Sequence, residues 1–186
     1  MNDVLKAIFE RRTVRDFKPD QIKNEDLKMI LEAGHQAPSA WNRQPWHFTV
    51  VQKKSLLDRI VDSAREPLKS SEMAKAMPWL VAPTFHYFYH APTVIWISGQ
   101  TSNENASGDC AIAVMNMVYA AQSLGLQSCV VITVLPAFET EEGPGFIKEL
   151  GIPEGFKLLY ALALGYTSKP LPSAAPRKEN FVNFIK

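Results

Sequence analysis

The sequence predicts a β-sheet with helices packed on it, of the α+β or α/β class, within one domain that spans residues 1–186. Runs of apolar and β-branched residues of strand length recur along the chain, and stretches of helical periodicity separate them. Hydrophobic residues make up 46% of the chain and charged residues 21%, which is typical of a globular protein. A chain of 186 residues is also long enough to bury a core of its own.

The first half of the chain predicts three helices, one strand and an irregular region. An apolar stripe at helical spacing predicts a helix over Asp3–Arg11, and Asn24 can cap a second helix that continues to Gly34-His35. The next predicted elements are the loop Pro38–Pro45, the strand Trp46–Gln52 and the helix Ser55–Arg65. Residues 66–89 hold three prolines and many aromatic residues, so we expect a short helix over Ser71–Met77 and then an irregular flap.

The second half predicts buried strands around one long helix. The β-branched run Pro92–Ser98 is typical of a buried strand, and Gly125 supplies a left-handed cap for a helix over Gly108–Leu124. Three further elements are predicted: the strand Cys129–Leu135, the short helix Phe146–Leu150 and the strand Lys157–Gly165. A proline-rich tail, Lys169–Lys186, ends in apolar side chains that a solvated tail does not need, namely Phe181, Val182, Phe184 and Ile185.

The helix Gly108–Leu124 is apolar over much of its circumference. Its predicted inward face runs through Ala111, Val114, Met115, Val118 and Ala121. A helix that is apolar on most sides is expected to be buried all round. In a chain of this size, we expect a subunit interface to supply the second covering.

Composition and charge argue against several classes of protein. The net charge of +1 lacks the basic bias of a nucleic-acid-binding protein. No run approaches the roughly 18 apolar residues that cross a bilayer, and the start of the chain lacks a signal-peptide pattern. We interpret Cys110 and Cys129 as buried apolar thiols. We therefore expect a cytoplasmic protein with neither a membrane nor a nucleic acid as partner.

Two polar segments are candidates for a binding site. If Thr13–Phe17 is extended, its two-residue period puts Arg11, Thr13 and Arg15 on one face, where two guanidinium groups and a hydroxyl could bind an anion. The alternative is a solvated cationic helix end. In the loop 37–46, Ser39, Asn42 and Gln44 could pair with a polar ring edge and Trp41 could stack on a flat ligand. The alternative is an ordinary loop whose tryptophans plug the core.

Other motifs are weaker or missing. Pro176-Arg177-Lys178 could close over a phosphate, or it could be a mobile charged tail. Neither a G-x-G-x-x-G fingerprint nor a P-loop occurs. The four histidines lack metal-ligand spacing with carboxylates, so we expect no metal site. Ser39 and Thr13 have no nearby His–Asp pair, which argues against hydrolytic catalysis.

Taken together, these segments resemble the FMN-dependent nitroreductase family over nearly the whole chain. Residues 11–17 are similar to the family's R-R-S-x-R-x-F opening, with Thr13 in place of the commoner Ser, and residues 38–46 are similar to its P-S-x-x-N-x-Q-P-W loop. Residues 90–95 resemble its A-P strand, and residues 109–131 resemble its long interface helix and the strand that follows. Residues 163–166 and 176–178 resemble the closing A-L-G-Y and basic segments.

The resemblance implies an α+β fold with a mixed central sheet flanked by helices, in an intertwined homodimer. It implies one non-covalent FMN per active site, with two sites at the interface that are each built from both subunits. The residues that match Arg11 and Thr13 hold the FMN phosphate in the family, Arg12 belongs to the same cofactor-binding segment, and Arg177 joins them. The residue that matches Arg15 lies near flavin N1 and O2, where negative charge grows on reduction.

The same resemblance assigns residues on two further elements. The residues that match Pro38, Ser39, Ala40 and Asn42 reach the flavin from the partner subunit, and Trp41 is a candidate substrate contact. The strand end at Val131 and Ile132 would place a backbone amide by flavin N5, although Ile132-Thr133 stands where many members have a glycine. The aromatic segment 79–90 matches no family pattern, and we interpret it as a substrate flap.

The implied activity is ping-pong transfer of hydride from NADH or NADPH, through the flavin, to a small organic acceptor. Nitroaromatics, quinones and free flavins are candidate acceptors, and no side chain need act as a nucleophile because the flavin carries the chemistry. Flavin breakdown and reductive dehalogenation are alternatives that keep FMN. A non-catalytic FMN-binding or redox-sensing protein is the alternative of a different class.

Overall fold

The structure, a computed structural model, describes residues 1–179 and 182–186. The helices in chain order are α1 Asp3–Glu10, α2 Asn24–His35, α3 Lys54–Lys69, α4 Glu72–Ala76, α5 Ala106–Ser123 and α6 Gly143–Glu149. The strands are β1 Trp46–Val51, β2 Thr93–Gln100, β3 Gln127–Val131 and β4 Phe156–Gly165. Within the described residues, no helix combines the length and apolarity needed to cross a lipid bilayer.

The four strands form one sheet in the order β1-β2-β4-β3, and every neighbouring pair is antiparallel. The fold is therefore α+β, because α/β folds have parallel sheets. The mixed sheet that we expected is present only as a single parallel bridge between Thr13 and Ser128 at the outer side of β3. That bridge attaches the arginine-rich segment to the sheet.

Alternation along the central strands builds a core on each face of the sheet. Val94 and Trp96 of β2 face one core, whereas Ile95 and Ile97 face the other. On the first face lie α3, α6 and the aromatic region before β2, and on the second lie α2 and α5. The β2–β4 register slips by one residue after Ile97, at a β-bulge.

Two predicted boundaries are wrong by several residues. Helix α3 does not stop at Arg65 but continues through Pro67 to Lys69, since a proline removes only one donor there while Leu68 becomes buried in the core. Strand β3 ends at Val131 rather than at Leu135. The chain turns out of the sheet where the Leu135 N–H donates to the Ile132 carbonyl at 3.1 Å, and Val134 then enters the core.

The apolar surfaces of α1 and α5 are only partly covered within one chain. The predicted stripe of α1 has no buried residue, and Val4 and Phe9 are among its most exposed side chains. On α5, Val114, Val118 and Ala121 are buried as predicted, but Ile112 and Met115 are exposed. One chain thus covers only part of α5, and its burial all round, for which we expected a subunit interface, stays a prediction.

The aromatic region before β2 is a short turn of helix followed by tight turns. Pro78–Val81 is a 3₁₀ turn, and the Tyr87 hydroxyl donates to the Leu80 carbonyl at 2.9 Å. The His86 ring accepts through Nδ1 from the N–H groups of Phe88 and His90, at 3.2 and 3.3 Å. Burial is the main cause that lowers the pKa of His86 to about 4, so this imidazole is neutral and acts as a structural acceptor.

The tail after β4 has no regular structure within its described residues. Val182, Phe184 and Ile185 are exposed, which leaves these apolar side chains without a covering in one chain. Phe181, which belongs to the same predicted apolar cluster, lies outside the described residues.

Candidate active site

The segment Thr13–Arg15 runs as an extended strand beside β3. The Val14 N–H donates to the Ser128 carbonyl at 3.1 Å, and the Val14 side chain is buried. Thr13 and Arg15 therefore project from the other side of the backbone, as the two-residue period predicts. Both line a groove of about 310 Å³ whose far wall is formed by Thr167, Lys169 and two prolines of the tail.

The two neighbouring arginines have different surroundings. The Arg12 guanidinium donates through Nη1 to the carbonyls of Phe9 and Arg11, at 2.7 and 2.8 Å. Its side chain thus satisfies free carbonyls at the C-terminal end of α1, where a cation is also favoured by the helix dipole. Arg11 is half-buried and forms no side-chain hydrogen bond among the described residues.

Arg15 contributes a positive charge to the groove, and no carboxylate among the described residues forms an ion pair with it. Asp16, the nearest carboxylate in sequence, forms an ion pair with Lys169 at 2.8 Å. Arg15 instead lies over the ring of Tyr89, with its guanidinium carbon 5.9 Å from the ring centroid. Arg11 and Arg15 are thus available to an anionic ligand, and the interpretation of this segment as a solvated helix end does not account for the groove.

The loop between α2 and β1 is held in an unusual backbone conformation. Trp41, Asn42 and Gln44 have φ angles of 56°, 53° and 47°, in the left-handed region that non-glycine residues rarely adopt. Ser39 Oγ accepts from the Gln44 N–H at 2.9 Å, and the Gln44 side chain donates to Asn42 Oδ1 at 3.0 Å. Strained loops of this kind are concentrated at functional sites.

The two tryptophans of this loop have opposite environments. Trp46 is buried and stacks on Phe48, so it plugs the core as the alternative interpretation predicts. Trp41 has 86% of its surface exposed. A large aromatic side chain that is held outward by a strained backbone is free to contact a ligand or another chain.

Sequence reasoning missed Asp109, which anchors the loop. Its side chain is only 6% exposed, and its two oxygens lie 3.2 and 3.3 Å from the Ala40 nitrogen, which donates to them. Asp109 stands in the first turn of α5, where the helix dipole favours a negative charge. The available signal was a carboxylate in the first turn of an otherwise apolar helix.

The predicted contact with flavin N5 lies at the end of β3, whereas the arginine segment pairs with Ser128 near the start of that strand. Val131 is buried and Ile132, just beyond the strand, is exposed.

The two cysteines are unbonded and buried, which confirms their interpretation as apolar thiols. Burial raises the pKa of Cys110 to about 12 and that of Cys129 to about 11. Neither is a thiolate near neutral pH.

A single chain does not bring all the predicted site residues together. Among the described residues, the groove is lined by the predicted site residues Thr13 and Arg15 but not by Arg11, Arg12, Val131, Ile132, Arg177 or any residue of the loop 38–42. Arg177 lies in the exposed, irregular tail. The loop is attached to α5 through Asp109 instead.

Known proteins resemble this chain in sequence and in fold. A model of the nitroreductase family matches residues 8–166. A protein of Archaeoglobus fulgidus named for NADH dehydrogenase and NAD(P)H nitroreductase activity is 31% identical over 167 residues, covering 89% of this chain and 86% of that protein. The crystal structure of a nitroreductase with bound FMN from Bacteroides fragilis is 32% identical, with a TM-score of 0.90 and full coverage of both chains. An iodotyrosine deiodinase of Thermotoga neapolitana is 27% identical over 94% of each chain.

The anchoring of the loop by Asp109 gives a first prediction. Asp109→Ala leaves the Ala40 N–H without its acceptor, so we expect the free energy of unfolding to fall by about 1–3 kcal/mol. Hydrogen exchange at the amides of residues 40–44 should accelerate more than elsewhere. Urea unfolding and exchange measured by mass spectrometry check both effects.

Two further variants serve as controls for this prediction. Asp109→Asn keeps an acceptor oxygen and should lose less stability. Asp16→Ala removes a carboxylate from an exposed ion pair, which typically contributes less than about 1 kcal/mol. Equal losses in Asp109→Ala and Asp16→Ala would show that Asp109 does not anchor the loop.

Proposed function

Because the chain belongs to the nitroreductase family, we propose that it is an FMN-dependent oxidoreductase that transfers electrons from NADH or NADPH to nitroaromatics, quinones or related small organic acceptors. The observation that carries this proposal is the groove beside β3, which Thr13 and Arg15 line and where Arg15 has no carboxylate partner in the part of the chain that the structure describes. Relatives named for NAD(P)H nitroreductase and FMN reductase activity support the enzyme class. Bound FMN in the Bacteroides fragilis structure supports the cofactor.

The donors at the groove fit a phosphate ester. Thr13 lines the groove with its hydroxyl. Arg11, two residues before it, has no side-chain hydrogen bond or ion pair among the described residues. Guanidinium groups bind phosphate through two parallel hydrogen bonds. We assign these two residues to the FMN phosphate, with Arg177 joining from the tail. The Arg12 side chain already donates to backbone carbonyls at the end of α1, so in this proposal only the Arg12 backbone contacts the phosphate.

Arg15 suits the pyrimidine end of the flavin. In this arrangement its positive charge faces N1 and O2, and the backbone at Val131 and Ile132 faces N5. When bound, FMN supplies the ring that accepts and donates hydride. Arg15 then contributes a preorganised charge that stabilises the reduced form more than the oxidised form. The donor and the acceptor occupy the same face in turn, so we expect ping-pong kinetics.

A second copy of the chain completes this site in our proposal. The exposed apolar side chains of α1, α5 and the tail need a covering, and the loop 38–42 presents Trp41 outward. In a symmetric dimer each surface patch meets the same patch on the partner, and a loop from one protomer can reach the groove of the other. Pro38, Ser39, Ala40 and Asn42 would then contact the partner's flavin, and Trp41 would form a wall of its substrate pocket.

Reductive dehalogenation is a second candidate function. The 27% identity to an iodotyrosine deiodinase extends over 94% of this chain, which is the specific observation that favours it. Both activities use the same flavin and differ in the side chains that contact the acceptor. Release of iodide from 3-iodotyrosine, measured beside reduction of a nitroaromatic and a quinone with the same reduced protein, separates them.

The proposed activity predicts a yellow protein with defined kinetics. Denaturation of the purified protein should release FMN, since the phosphate-binding residues fit its terminal phosphate. NADH or NADPH oxidation should depend on an added acceptor, and double-reciprocal plots at several acceptor concentrations should be parallel. Released FAD, or a colourless protein that does not take up added FMN, would contradict the proposal.

The roles of Arg11 and Arg15 predict different effects of their removal. Arg11→Ala should weaken FMN binding by very roughly 1.5–3 kcal/mol, as for a charged hydrogen bond, and equally in both redox states. Arg15→Ala should lower the two-electron potential by tens of millivolts, because about 30 mV corresponds to about 1.4 kcal/mol of differential binding. Dye-coupled titrations measure the potential.

Arg59→Ala is the matched control for these two variants, since it removes a cation that is already paired with Glu149 at 2.9 Å. It should change neither FMN affinity nor potential. The assignment is wrong if Arg11→Ala shifts the potential while Arg15→Ala leaves it unchanged.

The dimer gives another prediction. Ile112→Glu places a charge on the exposed apolar side of α5 and should convert the dimer to monomers with a matching loss of FMN, because an interface core excludes unpaired charges. Met73→Glu is the control, since Met73 is similarly exposed but lies on α4, across the sheet from α5. Sedimentation and flavin absorbance measure both properties. A wild-type protein that is monomeric with full FMN would refute the shared site.

A further inference from the structure

Tyr89 and His90 form a second pair of non-glycine residues in the left-handed region, with φ angles of 53° and 58°. The surrounding groups hold this conformation. The Tyr89 N–H donates to the His86 carbonyl at 2.8 Å, and the His90 N–H donates to His86 Nδ1 at 3.3 Å. The other ring nitrogen of His86 lies 3.3 Å from Asp58 Oδ1, which fixes the orientation of the ring. The turn therefore presents the Tyr89 side chain in one direction.

The Tyr89 ring is also fixed from the side by other aromatic rings. Phe85 meets it edge to face, with centroids 5.7 Å apart and planes at 81°. Phe85 in turn contacts Trp79 at 4.9 Å, and its carbonyl accepts from Arg65 Nη2 at 2.9 Å. Edge-to-face pairs of this kind have a preferred geometry. The flap thus ends in a ring whose position is set by several independent contacts.

The Tyr89 ring contacts the Arg15 guanidinium without neutralising its positive charge. A carboxylate at the same place would hold the guanidinium as well, but it would neutralise the potential that a ligand feels. Burial, the main cause, raises the pKa of Tyr89, and the pKa of the adjacent Cys129 is raised to about 11. Both groups are therefore neutral near pH 7, and the carboxylate of Asp16, which lines the same groove, is paired with Lys169, so none of the three forms an ion pair with Arg15.

We propose that Tyr89 is a positioning residue that holds Arg15 as an uncancelled cation facing the groove. This inference rests on the proposed function, in which Arg15 lies beside flavin N1 and O2. The aromatic segment 79–90 then has a role besides covering the substrate, because it fixes the position of the cation that sets the reduction potential of the flavin. The sequence motif that carries Arg15 contains no partner for it. The partner, Tyr89, belongs to the segment that precedes β2 and is distant in sequence.

The test is a double-mutant cycle that reads the two-electron potential of the holoprotein. Tyr89→Leu should reduce the preference for reduced over oxidised FMN by up to about tenfold, which lowers the potential by up to about 30 mV. Tyr89→Phe keeps the ring and should stay near wild type. Arg15→Ala should lower the potential, and adding Tyr89→Leu to it should lower the potential no further. Tyr87→Phe, a change in the same flap away from Arg15, should have no effect.

A second readout does not depend on the flavin. The pKa of Tyr89 can be followed by NMR with ¹³C-labelled tyrosine, assigned by the signal missing in Tyr89→Phe. Arg15→Ala should raise this pKa further, because the guanidinium is the group that opposes the effect of burial. This variant changes an exposed side chain, so the protein should remain folded.

The outcomes separate the two proposals. The proposed role of Tyr89 is wrong if Tyr89→Leu keeps the wild-type potential while Arg15→Ala lowers it. It is also wrong if the two substitutions lower the potential additively in the double variant. If Arg15→Ala leaves the potential unchanged, the placement of Arg15 at the flavin fails. In that case a raised Tyr89 pKa in Arg15→Ala still supports the contact, whereas an unchanged pKa overturns the contact as well.

Discussion

The apolar surface that one chain cannot cover is the constraint on which the rest of this structure depends. Helix α1 has an apolar stripe with no buried residue, and α5 buries one side while Ile112 and Met115 stay exposed. Each fully buried side chain of this size contributes about 1.5–3 kcal/mol relative to an exposed one. In the proposed dimer, a second copy would cover these side chains and gain this burial energy. The same association would bring a loop from one protomer to the groove of the other.

The position of the groove follows from how the sheet is built. The backbone bond from Val14 to Ser128 attaches the arginine segment to the open side of β3, and the burial of Val14 decides which face Thr13 and Arg15 occupy. The strained loop is held separately, by the carboxylate of Asp109 at the start of α5. Rigid elements thus position both parts of the proposed site, while among the described residues Arg11 and Arg15 form no ion pair with a carboxylate.

Local patterns predicted most of the elements, because period-two and helical spacing survive in the folded chain. The buried, β-branched strand β2 and the glycine cap of α5 at Gly125, with φ of 75°, appear as predicted. Tertiary contacts decided the rest. Pro67 suggested a helix end that the burial of Leu68 overrides, and Val134 leaves the sheet to enter the core. Asp109 and Tyr89 escaped the sequence analysis because each acts through a partner distant in sequence, respectively Ala40 and Arg15.

Subunit complementation tests the central claim, that each active site is built from two chains, most directly. Arg11→Ala removes a proposed phosphate ligand, and Asn42→Gly removes a loop side chain at a position whose φ of 53° glycine tolerates. Heterodimers of the two variants, isolated through different affinity tags, should contain one site with both defects and one intact site. The account predicts that these heterodimers regain wild-type FMN affinity in about half of their sites. Heterodimers in which every site stays weakened would contradict it, since each site would then belong to a single chain.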